Sequence, residues 1–326
     1  MNFDKVYKEY LDKIENRLEE YMSFSEPHSL YDPFKYIMQV GGKRIRPVLC
    51  MISAGAVGGN SDDAIDCGCA IEILHNFTLV HDDIMDESPL RRGRETVHKK
   101  WSEAAAILSG DVMVGHAYRL LPKSDHERSD QIISQFTSGL IEVCEGQAYD
   151  MDLNEMKDFS LDDYLLTITK KTARLLETSA VIGGHYGMGS EEQIENLRKF
   201  AYNLGIAFQI QDDLLDLIAD QAKLGKTIGL DIYEGKKTFL IIRSIQKAET
   251  EDDKKLLKRF VDNNGLPIEE VDKVRDMMSR LGVLDEARQE AGKYFDKALE
   301  FLAMLPKNES TEMLVALTNK INKRNK

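Results

Sequence analysis

Little in this chain of 326 residues suits a disulfide scaffold, a membrane span or a nucleic-acid surface. It has only four cysteines, Cys50, Cys67, Cys69 and Cys144. Cys67 and Cys69 are two apart and diverge on a helix, and no second Cys or His pair has zinc-ligand spacing. Buried or semi-buried free thiols are expected, as in a reducing compartment. No apolar run reaches the roughly 18 residues that span a bilayer. The N-terminal stretch carries Asp4, Glu9 and Asp12 and is unlike a signal peptide, so a cytoplasmic location is expected. Positive charge is scarce: 43 Lys and Arg stand against 56 Asp and Glu, a formal net charge of −13. That balance disfavours a phosphate backbone as partner, so neither nucleic-acid binding nor stable membrane insertion is expected. Strand-like alternation, low-complexity linkers, a nucleotide-binding glycine loop and an EF-hand ligand loop are all missing. An all-α single domain over residues 1–326 remains, with ample chain for a deep core.

Against this background one stretch stands out. Residues 72–86, EILHNFTLVHDDIMD, begin as an apolar helix and end in Asp82, Asp83 and Asp86, with Arg91-Arg92-Gly93 shortly after. Residues i and i+4 share a helix face, so Asp82 and Asp86 point the same way. Carboxylates there repel one another and meet the negative end of the helix dipole, so a cation is expected against them. Gln209-Ile210-Gln211-Asp212-Asp213-Leu214-Leu215-Asp216 repeats the Asp-Asp-x-x-Asp spacing late in a second apolar-periodic segment. A basic, Gly-containing loop with Lys226 follows it. Two carboxylate clusters with divalent cations between them, ringed by Lys and Arg, make a site for a diphosphate.

Along the chain, residues 3–23 read as an amphipathic helix, and Pro27 and Pro33 break the stretch 24–33. A helix over about 34–40 ends at Gly41-Gly42, where Lys43, Arg44 and Arg46 follow, and Pro47 suits the first turn of the next helix. Ser61-Asp62-Asp63 is the expected N-cap and acidic first turn of the helix leading into the first motif. Residues 87–100 read as a polar loop, and helices follow over about 102–121 and 130–152. Ser160-Leu161-Asp162-Asp163 is a helix start, with the acid pair as capping charge. Gly183-Gly184 and Gly187 mark the end of that segment. Residues 191–219 form a long helix, 221–235 a glycine-rich loop, and Lys236-Lys237 open the next helix. Charged amphipathic helices continue from about 250.

These motifs resemble those of the short-chain trans-prenyl diphosphate synthases, the farnesyl and geranylgeranyl diphosphate synthase family. The two aspartate motifs, Arg91-Arg92-Gly93, Gly41-Gly42-Lys43-Arg44-Ile45-Arg46-Pro47, Lys171-Thr172, Phe208-Gln209 and Gly225-Lys226-Thr227-Ile228-Gly229-Leu230-Asp231 match its blocks in order, from about residue 30 to 240. After Lys236 the family usually continues Thr-Leu-Pro, whereas here Lys237-Thr238-Phe239-Leu240 follows, which bears on where the next helix starts.

The resemblance implies the isoprenoid synthase type I fold, a bundle of long helices around a deep central cavity, and a homodimer. It implies Mg²⁺ held by Asp82, Asp86 and Asp212, about three ions per site with Mn²⁺ able to substitute. Asp83, Asp213 and Asp216 support that coordination. Lys43, Arg46, His75 and Arg92 would hold isopentenyl diphosphate. Arg91, Lys171, Lys226 and Lys236 would hold the allylic diphosphate, with Thr172, Gln209 and Phe208 beside its reacting carbon. Gln147 and Asp150 lie at the edge of this set. Phe77 and Thr78, five and four residues before Asp82, would form the floor that limits product length. One aromatic followed by Thr resembles archaeal-type enzymes and points to a C20 product, with C15 as intermediate or co-product. A class I terpene cyclase would need neither Lys43 and Arg46 nor a second complete motif. A non-catalytic partner subunit should have lost aspartates, yet all six are present.

Overall fold

Apolar residues recur every third or fourth position in α1, Phe3–Tyr21, and Ile14 and Leu18 on that stripe are buried. This amphipathic pattern builds nearly the whole chain, seen in a computed structural model that describes residues 2–218 and 228–323. The N-terminal half continues with α2, His28–Gln39; α3, Ile45–Ala56; α4, Ile65–Met85; and α5, Val97–Lys100. Next come α6, Glu103–Arg119; α7, Ser129–Glu155; α8, Leu161–Ile168; α9, Arg174–Tyr186; and α10, Glu191–Ile218. Shorter helices follow: α11, Leu230–Tyr233; α12, Phe239–Lys247; α13, Glu251–Asp262; and α14, Val271–Arg280. The last two are α15, Val283–Leu302, and α16, Glu309–Asn322. The expected all-α architecture holds, with one small exception: Leu90–Arg91 and Arg94–Glu95 pair as a two-stranded antiparallel ladder.

The chain divides into two compact units. The first comprises Met1–Cys144, Leu175–Ala201 and Glu300–Leu317, and the second Glu145–Arg174, Tyr202–Leu299 and Thr318–Lys326. In the first, α4 is the central rod. Every residue from Cys67 to Leu74 is buried, as an all-round apolar helix requires. It packs against α1, α3 and α6. Its start differs slightly from expectation: Ser61–Ala64 is a separate 3₁₀ turn capped by Asn60, whose side chain accepts the N–H of Asp62. In the second unit α8 opens with the expected capping box, the Ser160 N–H donating to Asp163 and the Asp163 N–H to Ser160 Oγ.

Four local expectations are corrected. Pro33 does not stop a helix but lies buried inside α2. It gives up one backbone bond, and its burial against the core offsets part of that loss. Gly183 and Gly184 do not terminate a helix either; both are buried within α9. A Cβ on Gly183 would come within 2.1 Å of the Cys50 carbonyl oxygen, so this glycine lets α9 press against α3. Lys236 and Lys237 precede the helix they were expected to open, because Thr238 is the N-cap and α12 starts at Phe239. Cys50, Cys67 and Cys69 are buried free thiols, whereas Cys144 is exposed.

Candidate active site

In the first unit the basic groups gather around the start of α3. Gly41 and Gly42 have φ of 73° and 154°, a reversal that favours residues without a Cβ. Arg44 itself is left-handed, with φ of 45°. Its buried guanidinium donates to Glu72 Oε1 at 2.7 Å, Glu15 Oε1 at 2.8 Å and the Met38 carbonyl at 2.6 Å. Breaking one arm of such a buried pair typically costs about 3–5 kcal/mol. Arg44 therefore clamps the loop between its neighbours Lys43 and Arg46. The Lys43 carbonyl accepts from the Tyr7 hydroxyl at 2.5 Å. Arg46 lies in the first turn of α3, where helix N–H groups and the dipole favour anions.

Arg46 Nη1 lies 3.1 Å from His75 Nε2. A guanidinium can only donate, so Nε2 is the acceptor and the neutral ring carries its proton on Nδ1. Burial, then the nearby Arg46, Arg92 and Arg91, hold the His75 pKa well below its ordinary 6.5. Arg92 arrives from the hairpin tip, where Arg92 and Gly93 have φ of 51° and 76°, the signature of a tight two-residue turn. A Cβ on Gly42 would lie 2.6 Å from Arg92 Nη1, so the bare glycine makes room for this guanidinium. The structure thus brings Arg46 against His75, with Arg92 nearby and packed over Gly42.

The first aspartate motif sits where the spacing placed it. α4 ends at Met85 and Asp86 is its C-cap. Asp83 is buried and ion-paired to Arg91 at 2.7 Å. Burial raises its pKa and the Arg91 bond opposes that rise. Arg91 therefore ties the hairpin to the motif. Thr78 Oγ1 donates to the His75 carbonyl at 2.8 Å, spending its hydroxyl on the helix. The Phe77 ring stands edge-on to His81, with centroids 4.8 Å apart.

The second unit holds the other set. Thr169–Ala173 is a single π turn carrying Lys171 and Thr172, an irregularity common at functional sites. Lys171 Nζ pairs with Asp150 at 2.6 Å, and Thr172 Oγ1 donates to Gln209 Oε1 at 2.8 Å. Asp213 is buried and pushed up to about 7, chiefly by burial and further by the adjacent Asp212. Asp216 and Asp231 are raised as well, again chiefly by burial. Asp216 Oδ2 accepts the Asp231 N–H at 3.1 Å, so the last carboxylate of the motif caps α11. Burial works to lower the Lys236 pKa, but Asp231 and Glu234 raise it above its ordinary value. Lys226 lies outside the described residues.

Among the described residues no three His, Cys, Asp or Glu side chains converge into a ready-made metal cage. Mg²⁺ rarely needs one: it takes one or two carboxylates and completes its shell with water and substrate phosphate. Asp213 and Asp216, pushed upward chiefly by burial and further by neighbouring carboxylates, are donors whose charged forms a divalent cation would favour. Sequence reasoning missed Glu72, Tyr164 and Asp231. No motif spacing points to a role for Glu72 or Tyr164, and only their partners give them one.

A polyprenyl synthetase family model matches residues 27–278. The chain belongs to the polyprenyl synthetase family. It is therefore a prenyltransferase of the prenyl diphosphate synthase kind, with the isoprenoid synthase helical fold. Geranylgeranyl diphosphate synthase of Sulfolobus acidocaldarius is 38% identical over 304 residues, 92% of this chain and 91% of that protein. An all-trans-nonaprenyl-diphosphate synthase (geranyl-diphosphate specific) of Rhodobacter capsulatus is 37% identical over 285 residues, 87% of this chain and 86% of its own length. The crystal structure of geranylgeranyl pyrophosphate synthetase from Pyrococcus horikoshii superposes with a TM-score of 0.92 at 36% identity, covering 99% of this chain and 98% of the other.

Proposed function

We propose that this family member condenses isopentenyl diphosphate with dimethylallyl, geranyl and farnesyl diphosphates, giving C20 geranylgeranyl diphosphate with C15 as intermediate or co-product. The observation that carries the reading is the Arg46, His75 and Arg92 cluster at the α3 N-terminus. It is a ready anion site beside a complete aspartate motif. The match through residues 27–278 includes both motifs and residues of both units, which supports treating 1–326 as one catalytic domain. Overall identity does not set product length, since relatives named for C20 and for nonaprenyl products are almost equally similar.

In this reading Lys43, Arg46, His75 and Arg92 hold the isopentenyl diphosphate. Arg91, Lys171, Lys226 and Lys236 hold the allylic one. Mg²⁺ bound by Asp82, Asp86 and Asp212 would supply Lewis-acid charge against the leaving diphosphate. The allylic C–O bond breaks, and the bonding pair leaves with the diphosphate. The Gln209 amide oxygen, the Thr172 side chain and the Phe208 ring face the cation left behind. The isopentenyl double bond attacks that carbon, and the departing diphosphate takes the proton that restores the alkene. No protein nucleophile is required. Phe77, with His81 braced against it, limits the tail, because one helix turn of about 5.4 Å is close to one prenyl unit.

The same proposal includes a homodimer in the cytoplasm. Ile107 and Leu108 on α6 and Ile141 on α7 are 41%, 58% and 53% exposed, and α6 and α7 pack together through Tyr118 on Phe136. Among the described residues no helix is long and apolar enough to cross a membrane.

The test is a product assay with labelled isopentenyl diphosphate, Mg²⁺ and each allylic primer, with an EDTA control. Metal-dependent C20, alone or with C15, supports the reading, and Phe77→Ala should then yield longer chains. Unchanged lengths in that variant would remove Phe77 from the floor. Folded wild-type protein that incorporates nothing from any primer would overturn the proposal.

A further inference from the structure

The second unit contains a buried hydrogen-bond chain that starts outside every recognised motif. Tyr164, in α8, is 3% exposed, and its hydroxyl donates to Asp213 Oδ2 at 2.7 Å. The other oxygen, Asp213 Oδ1, accepts from Gln209 Nε2 at 2.8 Å. The far end of the same amide, Gln209 Oε1, accepts from Thr172 Oγ1 at 2.8 Å. Asp213 is held at both oxygens and cannot turn about its own axis without losing a bond. It neighbours Asp212, and repulsion there gives it a reason to turn.

This matters because an amide has two unlike ends. With Tyr164 and Gln209 each donating to one oxygen, Asp213 is held as the ionised carboxylate, which accepts and does not donate, and in that form it fixes the N–H end of Gln209 toward itself. The oxygen end is thereby fixed toward Thr172. A hydroxyl both donates and accepts, so Thr172 by itself would tolerate either orientation. Thr172 cannot drift from its partner, because glycines on two neighbouring helices seat its π turn. A Cβ on Gly146 would lie 2.2 Å from the Lys171 backbone nitrogen, and one on Gly205 would lie 2.4 Å from the Ala173 Cα.

We propose that Tyr164 is a positioning residue for prenyl transfer: by locking Asp213 it sets which end of the Gln209 amide faces the reacting carbon. An oxygen aimed at developing positive charge stabilises it, whereas a flipped amide would aim N–H dipoles there and oppose it. Burial, then Asp213, keeps the Tyr164 hydroxyl well above its ordinary pKa of 10, so it stays a donor. The inference rests on the prenyl-transfer reading above.

Tyr164→Phe removes the hydroxyl and keeps the ring. We expect kcat to fall about tenfold or more while KM for isopentenyl diphosphate stays within about twofold, since the lost group acts on the ionising partner. In a Gln209→Ala background the same change should cost nothing further, because its effect runs through that amide. A kcat within about twofold of wild type, or losses that add in the double variant, would overturn the relay. A crystal structure of Tyr164→Phe provides a readout free of turnover. Separation of Gln209 from Asp213 beyond about 3.5 Å supports the relay, and a retained bond refutes it. Should that variant not fold, Tyr164→Leu, which also removes the hydroxyl, carries the same cycle, with additivity against Gln209→Ala again the refuting result. An inactive wild type would sink the prenyl-transfer reading alone, leaving the crystallographic result to judge the relay.

Discussion

The two units are charged in opposite senses around their candidate site residues. In the first, guanidiniums outnumber carboxylates near His75, and its pKa is driven down by burial and by Arg46, Arg92 and Arg91. In the second, carboxylates crowd one another, and Asp213, Asp216 and Asp231 are all driven up. Burial is the largest cause in each set, and neighbouring charge of like sign adds to it for His75 and for Asp213. One is short of an anion and the other of a cation. A diphosphate and a divalent cation are what the two deficits ask for. The contrast also shows what is already settled without ligand. Arg44 is neutralised by Glu72 and Glu15, and Arg91 by Asp83, so these two hold loops in place while Arg46 and Arg92 stay near the neutral His75.

Breaking the cation-seeking side should have the largest effect. Asp82→Ala or Asp212→Ala is expected to lower kcat by roughly a thousandfold or more, with helical content unchanged by circular dichroism. Turnover close to wild type at saturating Mg²⁺ would remove that residue from the metal set. Breaking the anion-seeking side should act on binding. Arg92→Ala is expected to raise KM for isopentenyl diphosphate by about 30- to 100-fold, with a smaller change in KM for the allylic primer. Equal changes in both would erase the assignment of Arg92 to one substrate.

The smallest effect sharpens the contrast through pH. Because the folded-state pKa of His75 is depressed, below pH 6.5 the unfolded chain takes up a proton that the folded chain refuses. Stability from this group is therefore present above pH 6.5 and falls as the pH drops toward the folded pKa. Denaturant melts of His75→Asn should show a shallower loss of stability than wild type between pH 6.5 and 5, by about 1 kcal/mol. Parallel curves would mean that His75 is not held neutral by its neighbours. Diphosphate should flatten the wild-type curve, since it supplies the missing negative charge.

Much of this site was legible in sequence because its logic is local. Asp82 and Asp86 are one helix turn apart by spacing alone, and the structure ends α4 where the carboxylates gather. The capping box at Ser160 and Asp163 is likewise a contact across three residues. The errors came where a residue serves a distant neighbour. Gly183 read as a helix stop, yet its missing side chain admits the Cys50 carbonyl. Pro33 read as a breaker, yet it is buried within α2. Tyr164 had no spacing signal at all, because its partner lies 49 residues away.

The sequence by itself determined the helices, the two acidic motifs and the chemistry they imply, because helical period and charge spacing act within a few residues. The tertiary structure decided which partners these charges meet across long stretches of chain. It turned Arg44 into a clamp, made His75 a neutral acceptor and locked both oxygens of Asp213. Those outcomes depend on burial and on partners far apart in sequence, and a charge has no fixed strength until its surroundings are folded around it.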